Sequence, residues 1–180
     1  MVGNRYAPAA AARASSAPAS PAGAGERSDP VTLRIAELIG PGRVILNLRA
    51  REKEQLLQEL SRLASPLVTL AADQIHQALQ KREQLGSTGI GRGIALPHAR
   101  VDGIEKLFGM FVRLSRPIEF QAIDEKPVDL IFLLLIPPDA GNEHVAALAA
   151  ISRRLRDPDF TQRLRKADKA EKVLALFQAS

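Results

Sequence analysis

Val128-Asp129-Leu130-Ile131-Phe132-Leu133-Leu134-Leu135-Ile136, closed by Pro137-Pro138, holds seven consecutive apolar residues from Leu130 onward. A run of that length ended by a turn signal suits a strand covered on both faces. Leu107 to Leu114, bounded by Pro117, is a second segment of the same kind. Working outward, the period changes. Downstream, Val145, Leu148, Ile151 and Leu155 follow helical spacing, and a final helix carries Val173, Leu174 and Phe177. Upstream, Ile75, Ala78, Leu79 and Leu85 mark a helix with Thr69 as its N-cap and Gly86 at its stop. Before it, Leu56, Leu57, Leu60 and Leu63 mark another, closing at Ser65-Pro66. Val44-Ile45-Leu46 reads as a strand, preceded by a short helix over Leu33 to Leu38 that Pro41-Gly42 breaks. Strands alternating with helices predict an α/β layered domain.

That pattern begins at Val31. Residues 1–30 contain ten Ala and four Pro, with Ser15, Ser16, Ser20 and Ser28, and no periodic large apolar residues. Such a segment cannot repay the entropy of ordering, so it is expected to be a disordered extension, with residues 31–180 forming one domain. It lacks the apolar core of a secretory signal, and its prolines oppose the amphipathic helix of a transit peptide. No run approaches the ~18 apolar residues of a membrane span. The 180 residues include no Cys, which excludes disulfides, thiolate metal sites and Cys nucleophiles and fits a reducing compartment, expected to be the cytoplasm.

The net charge of +5 at first suggests nucleic acid. Its distribution argues otherwise. Residues 31–152 balance at fourteen basic and fourteen acidic, whereas residues 153–172 carry eight basic against four acidic. With no Trp and 4% aromatics there is no stacking platform for single strands, so no nucleic-acid partner is expected.

The segment that carries chemistry is Arg82-Glu83-Gln84-Leu85-Gly86-Ser87-Thr88-Gly89-Ile90-Gly91-Arg92-Gly93-Ile94-Ala95-Leu96-Pro97-His98. Its clustered glycines let backbone approach a ligand and point N–H groups at an anion. It is not a P-loop, because no Lys follows a glycine, and not a dinucleotide fingerprint, because Ile94 stands where the third glycine is needed. Gly86-Ser87-Thr88-Gly89 is not a hydrolase elbow, and the His spacing supplies too few ligands for zinc, so neither cofactor nor metal is expected. His98 beside Pro97 fits either a structural histidine or a nucleophile. Its company favours the nucleophile: neutral imidazole can hold a phosphoryl group, and Arg82, the Ser87 and Thr88 hydroxyls and the loop N–H groups, Gly89 among them, offer donors for its oxygens. Arg92 and Arg100 flank the motif as steering cations or solvated charges, and His76, off its helix's apolar face, reads as a surface residue.

Arg82-Glu83, Gly86-Ser87-Thr88-Gly89-Ile90-Gly91 and Ile94-Ala95-Leu96-Pro97-His98 together resemble the active-site signature of enzyme IIA proteins of the phosphoenolpyruvate-dependent phosphotransferase system, fructose/mannitol class. Pro117-Ile118-Glu119-Phe120, Ala122-Ile123-Asp124, Pro127-Val128-Asp129-Leu130 and the helix entry at His144 extend the likeness, which is strongest to the nitrogen-regulatory branch. The resemblance implies a layered sandwich in which a mixed sheet of about five strands is flanked by helices on both faces. It implies that His98 accepts a phosphoryl group from an HPr-like carrier, that Arg82 neutralises developing charge, and that His144 lies beside His98. It further implies regulatory protein targets of transporter or sensor-kinase type. A sugar-specific enzyme IIA passing phosphoryl to a IIB domain, and a binding module without transfer, are the alternatives.

Overall fold

Phe111, Leu130, Phe132, Leu134 and Ile136 enter one hydrophobic core, and Met110, Val112, Ile131, Leu133 and Leu135 enter another. The two apolar runs are therefore strands buried on both faces, and the sheet they form separates the cores. The structure, a computed structural model, describes residues 35–179; the expected disordered extension, residues 1–30, and the start of the expected first helix lie outside them.

In chain order the elements are α1 (Ile35–Leu38), β1 (Val44–Leu48), α2 (Lys53–Val68), α3 (Ala72–Gln84), β2 (Gly89–Gly91), β3 (Ile94–Ala95), β4 (His98–Arg100), β5 (Phe108–Ile118), β6 (Val128–Ile136), α4 (Glu143–Leu155), α5 (Pro158–Lys166) and α6 (Ala170–Gln178). The sheet has six strands where about five were expected, ordered β1-β5-β6-β3-β2, with β4 also on β6. It is mixed: β5 and β6 run antiparallel, whereas β1 on β5, and β3 and β4 on β6, are parallel. β3 and β4 lie end to end along one edge of β6, at Leu130–Ile131 and Leu134–Ile136. The additional strand is thus a short one that only pairing with β6 defines.

Helices cover both faces. Leu56, Leu57 and Leu60 of α2 and Ile75 and Leu79 of α3 pack against one. Ile151 and Leu155 of α4, Phe160 and Leu164 of α5, and Val173 and Phe177 of α6 pack against the other. The Phe177 ring meets Phe160, Phe111 and Phe132 edge-on, with centroids 5.1, 5.7 and 6.0 Å away, the arrangement that aromatic quadrupoles favour.

Three local readings change. α2 does not close at Ser65-Pro66 but runs to Val68, with Pro66 inside it; the ring removes one i→i−4 hydrogen bond and the helix ends within a turn of it. Thr69 is not the N-cap of α3: it ends α2 in the left-handed region, at φ 57°, and Ala71 precedes α3. A further helix, α5, opens at Pro158 after Asp157, whose carboxylate accepts the N–H groups of Asp159 and Phe160 at 3.0 and 3.2 Å.

Candidate active site

β4 presents His98 and Arg100 to one side and buries Ala99 on the other, as strand alternation requires. The side that carries His98 faces the end of α3 and the first turn of α4. An open cleft of about 700 Å³ forms there, lined by Ala78, Lys81, Arg82, Leu85, His98, Ala99, Arg100, Ile136, His144, Val145 and Leu148. The fold thus brings His98, Arg82 and His144 together, although His144 follows His98 by 46 positions. It does so because β4 pairs with β6 and β6 leads directly into α4.

Two hydrogen bonds define the state of His98. Its Nδ1 lies 2.8 Å from the Leu96 carbonyl oxygen, which can only accept, so Nδ1 carries the proton. Its Nε2 then holds the lone pair and accepts from Arg82 Nε–H at 3.1 Å. Burial, with smaller contributions from the Arg82 and His144 charges, holds the His98 imidazole below its ordinary range, against the opposing pulls of the Leu96 carbonyl and Glu83. The ring is therefore neutral at neutral pH, with its nucleophilic nitrogen beside a guanidinium.

The second histidine is arranged similarly. His144 Nδ1–H donates to the Gly141 carbonyl at 2.6 Å, and its Nε2 faces Arg100 Nη2 at 3.5 Å. Arg100, which the sequence leaves as a flanking charge, also donates to the carbonyls of Pro137, Pro138 and Ala140 at 3.2, 2.7 and 3.2 Å. It staples the segment leading into α4 to β4, and so holds His144 against the cleft. Arg92 points elsewhere, donating to the Arg156 carbonyl at 2.8 Å.

Lys81, Arg82 and Arg100 give the lining positive charge, and no carboxylate residue is among it. Leu85 and Val145 stand 83% and 56% exposed at its rim, so a cationic centre is edged by apolar side chains suited to a protein surface.

Ser87, Thr88 and Gly89, expected at the phosphoryl group, do not line that cleft. The Ser87 hydroxyl donates to the Phe120 carbonyl at 3.0 Å and accepts Gly89 N–H at 3.2 Å. The Thr88 hydroxyl donates to Glu83 at 2.6 Å. Gly89 lets β2 pass close to the chain at Ala122, whose Cα would stand 2.7 Å from any Cβ there. Gly91 and Gly93, both at positive φ, turn β2 into β3. His76 is not fully exposed either, for its ring bonds Glu54 at 2.8 Å. In the basic C-terminal stretch, Arg165 grips Asp129 through two 2.8 Å bonds and Arg154 stacks 3.9 Å from the Phe160 ring centroid. Part of that charge therefore holds the fold.

Residues 37–180 match the family model described as "Phosphoenolpyruvate-dependent sugar phosphotransferase system, EIIA 2". A nitrogen regulatory protein of Bradyrhizobium diazoefficiens is 42% identical over 143 residues, covering 79% of this chain and 94% of that protein. One from Pseudomonas aeruginosa is 39% identical over 147 residues, covering 81% and 94%. Among solved structures, the nitrogen regulatory protein IIA-Ntr of Neisseria meningitidis superimposes with a TM-score of 0.76 at 34% identity, covering 79% of this chain and 98% of that one. The mannitol IIA of Escherichia coli shares the fold, with a TM-score of 0.66 at 21% identity over 77% of this chain and 98% of that one. The chain belongs to the EIIA 2 family of the phosphoenolpyruvate-dependent phosphotransferase system, and is a phosphocarrier that exchanges phosphoryl groups with other proteins of that system.

Proposed function

We propose that His98 is the phosphoryl acceptor, that its donor is an HPr-like carrier, and that the protein serves the nitrogen-related branch of the system as a cytoplasmic regulator. The observation that carries the reading is the neutral His98 ring with its Nε2 lone pair directed at Arg82 in a cationic cleft. In the transfer step the donor's N–P bond breaks as a bond forms between phosphorus and His98 Nε2. The electron pair of the broken bond stays on the donor nitrogen, so a donor ring that arrives protonated leaves as neutral imidazole. The positive charge passes to the His98 ring, whose Nδ1–H remains bonded to the Leu96 carbonyl. Arg82 exchanges its bond to Nε2 for one to a phosphoryl oxygen, and Lys81 adds positive charge. His144, at the start of α4, adds a favourable helix N-terminus beside the anion. Leu85 and Val145 contact the donor protein.

Transfer replaces a neutral ring by a phosphoryl group of roughly −2 charge on a ring carrying +1, a net change of about −1 with the negative charge placed at the cleft mouth. Targets that read the cleft face then distinguish the two states, in keeping with the nitrogen regulatory names of the relatives. Incubation with phosphoenolpyruvate, enzyme I and an HPr-like carrier will give an acid-labile, base-stable adduct that His98→Ala abolishes. No adduct with a competent donor overturns the acceptor assignment. For the regulatory part, pull-downs with wild type, His98→Ala and His98→Asp will recover different partners, and identical sets contradict it.

A further inference from the structure

Glu83 follows Arg82 in sequence, yet its carboxylate turns away from the cleft. The side chain is 7% exposed. It accepts from Lys53 Nζ at 2.8 Å, from Thr88 N–H at 3.0 and 3.2 Å to its two oxygens, and from the Thr88 hydroxyl at 2.6 Å. A carboxylate withdrawn this far from water is tolerable only when so fully bonded. Charge balance for Lys53 would require one of these bonds; the three to Thr88 have another consequence.

Thr88 leads to His98. Its carbonyl accepts Leu96 N–H at 2.9 Å, and the Leu96 carbonyl accepts His98 Nδ1–H at 2.8 Å. The other direction leads to Arg82. The Glu83 carbonyl takes Gly86 N–H at 3.2 Å in the turn that ends α3, and the Gly86 carbonyl takes Arg82 Nη1–H at 3.1 Å. Glu83 therefore ties together the two backbone carbonyls, of Leu96 and of Gly86, that hold the His98 and Arg82 side chains. Its hydrogen bonds to Thr88 join the helix end to the entry of β2, beside the Arg82–His98 bond that crosses to β4.

Tautomer control follows from this. Were the proton on Nε2, that atom would have no lone pair for phosphorus and would meet Arg82 Nε–H donor to donor. An acceptor fixed opposite Nδ1 acts with Arg82 to prevent this, and Leu96 is that acceptor. We propose that Glu83 is a positioning residue for phosphoryl transfer: through Thr88 it holds the Leu96 carbonyl that keeps His98 in its Nδ1–H form with Nε2 presented to Arg82. The proposal rests on His98 being the acceptor.

The test compares Glu83→Gln, Thr88→Val and Thr88→Ser with wild type by two readouts. One is single-turnover phosphoryl transfer from an HPr-like carrier at varied carrier concentration; the other is the tautomer of His98 from its ring ¹⁵N shifts. Glu83→Gln and Thr88→Val will slow transfer on the order of tenfold or more, with the half-saturating carrier concentration near that of wild type. Both will raise the population of the Nε2–H form, and Thr88→Ser, which keeps the hydroxyl, will behave as wild type. A merely stabilising Glu83 would lower the melting temperature while leaving rate and tautomer unchanged below it, and that result overturns the proposal. Should Glu83→Gln fail to fold, Thr88→Val carries the same test. If wild type itself takes no phosphoryl group, the acceptor assignment falls, while the tautomer measurement, which needs no donor, still decides the role of Glu83.

Discussion

Replacing Arg82 by Ala removes the donor that touches Nε2 of His98, at 3.1 Å. In the proposed phosphorylated state, with phosphorus on that nitrogen, the phosphoryl oxygens come within reach of the same guanidinium. Two unit charges about 4 Å apart at an effective dielectric near 20 interact by roughly 4 kcal/mol. Because the phosphoryl group is charged before, during and after transfer, that figure bounds the differential effect from above. Loss of one fixed donor to developing charge costs about 3–4 kcal/mol of barrier, so Arg82→Ala should slow transfer on the order of 10²- to 10³-fold. Arg82→Lys keeps a charge but cannot span the Gly86 carbonyl and His98 at once, so it should fall between. Because the Arg82 charge lowers the His98 pKa, the Ala variant should also move the His98 titration to higher pH. Rapid-quench transfer kinetics and an NMR titration of His98 measure the two effects. Transfer by Arg82→Ala within about threefold of wild type, or a titration displaced to lower pH, would refute the reasoning.

Other consequences concern stability. The His98 pKa in the fold lies below the unfolded value of about 6.5, so the unfolded chain binds more protons between those two values. The contribution of neutral His98 is complete above about pH 6.5 and is lost as pH falls through the folded pKa. Urea titrations from about pH 7.5 to 5 should show this loss in wild type and less of it in His98→Asn, and parallel curves would contradict it. Arg100→Ala removes the side-chain donor of the Pro138 and Ala140 carbonyls, leaves the Pro137 carbonyl with the Ala140 N–H alone, and frees the approach to α4. A loss of about 1–2 kcal/mol is expected, a few degrees in melting temperature, with a smaller drop in transfer than for Arg82→Ala; unchanged melting and transfer would remove Arg100 from this role.

The parts of the fold legible in the sequence are those whose burial leaves a continuous or periodic apolar signature. β5 and β6 are of this kind, as are the apolar stripes of α2 and α3. β4 left no such mark: His98, Ala99 and Arg100 become a strand only through register with Leu134, Leu135 and Ile136. α5 leaves a weak signature because Phe160 and Leu164 are the large apolar side chains among the three residues it buries, on a charged nine-residue helix, although Asp157-Pro158 signals its start. Thr69 shows the limit of reading residue type alone, since its hydroxyl suggested a cap while its backbone takes the left-handed turn that ends α2.

The site divides in the same way. His98 and Arg82 could be paired from a local motif that spans one helix end and one strand. His144 needed the family likeness, because sheet order alone joins it to them. By residue type Ser87, Thr88 and Gly89 suit a cradle for an anion, whereas their hydrogen bonds and close contacts build the frame behind the cleft. Arg100 is indistinguishable in sequence from a solvated flanking charge, and Glu83 stands in the motif without a role of its own; only the distances reveal what these two hold.

Whether phosphorus bonds Nε2 of His98, as proposed, is read from ¹⁵N–³¹P coupling in the phosphorylated protein. One phosphoryl group is expected, coupled to His98 Nε2, with Nδ1 still protonated and bonded to Leu96, and none in His98→Ala. A phosphoryl group on Nδ1 of His98, on His144 or on a hydroxyl would contradict it.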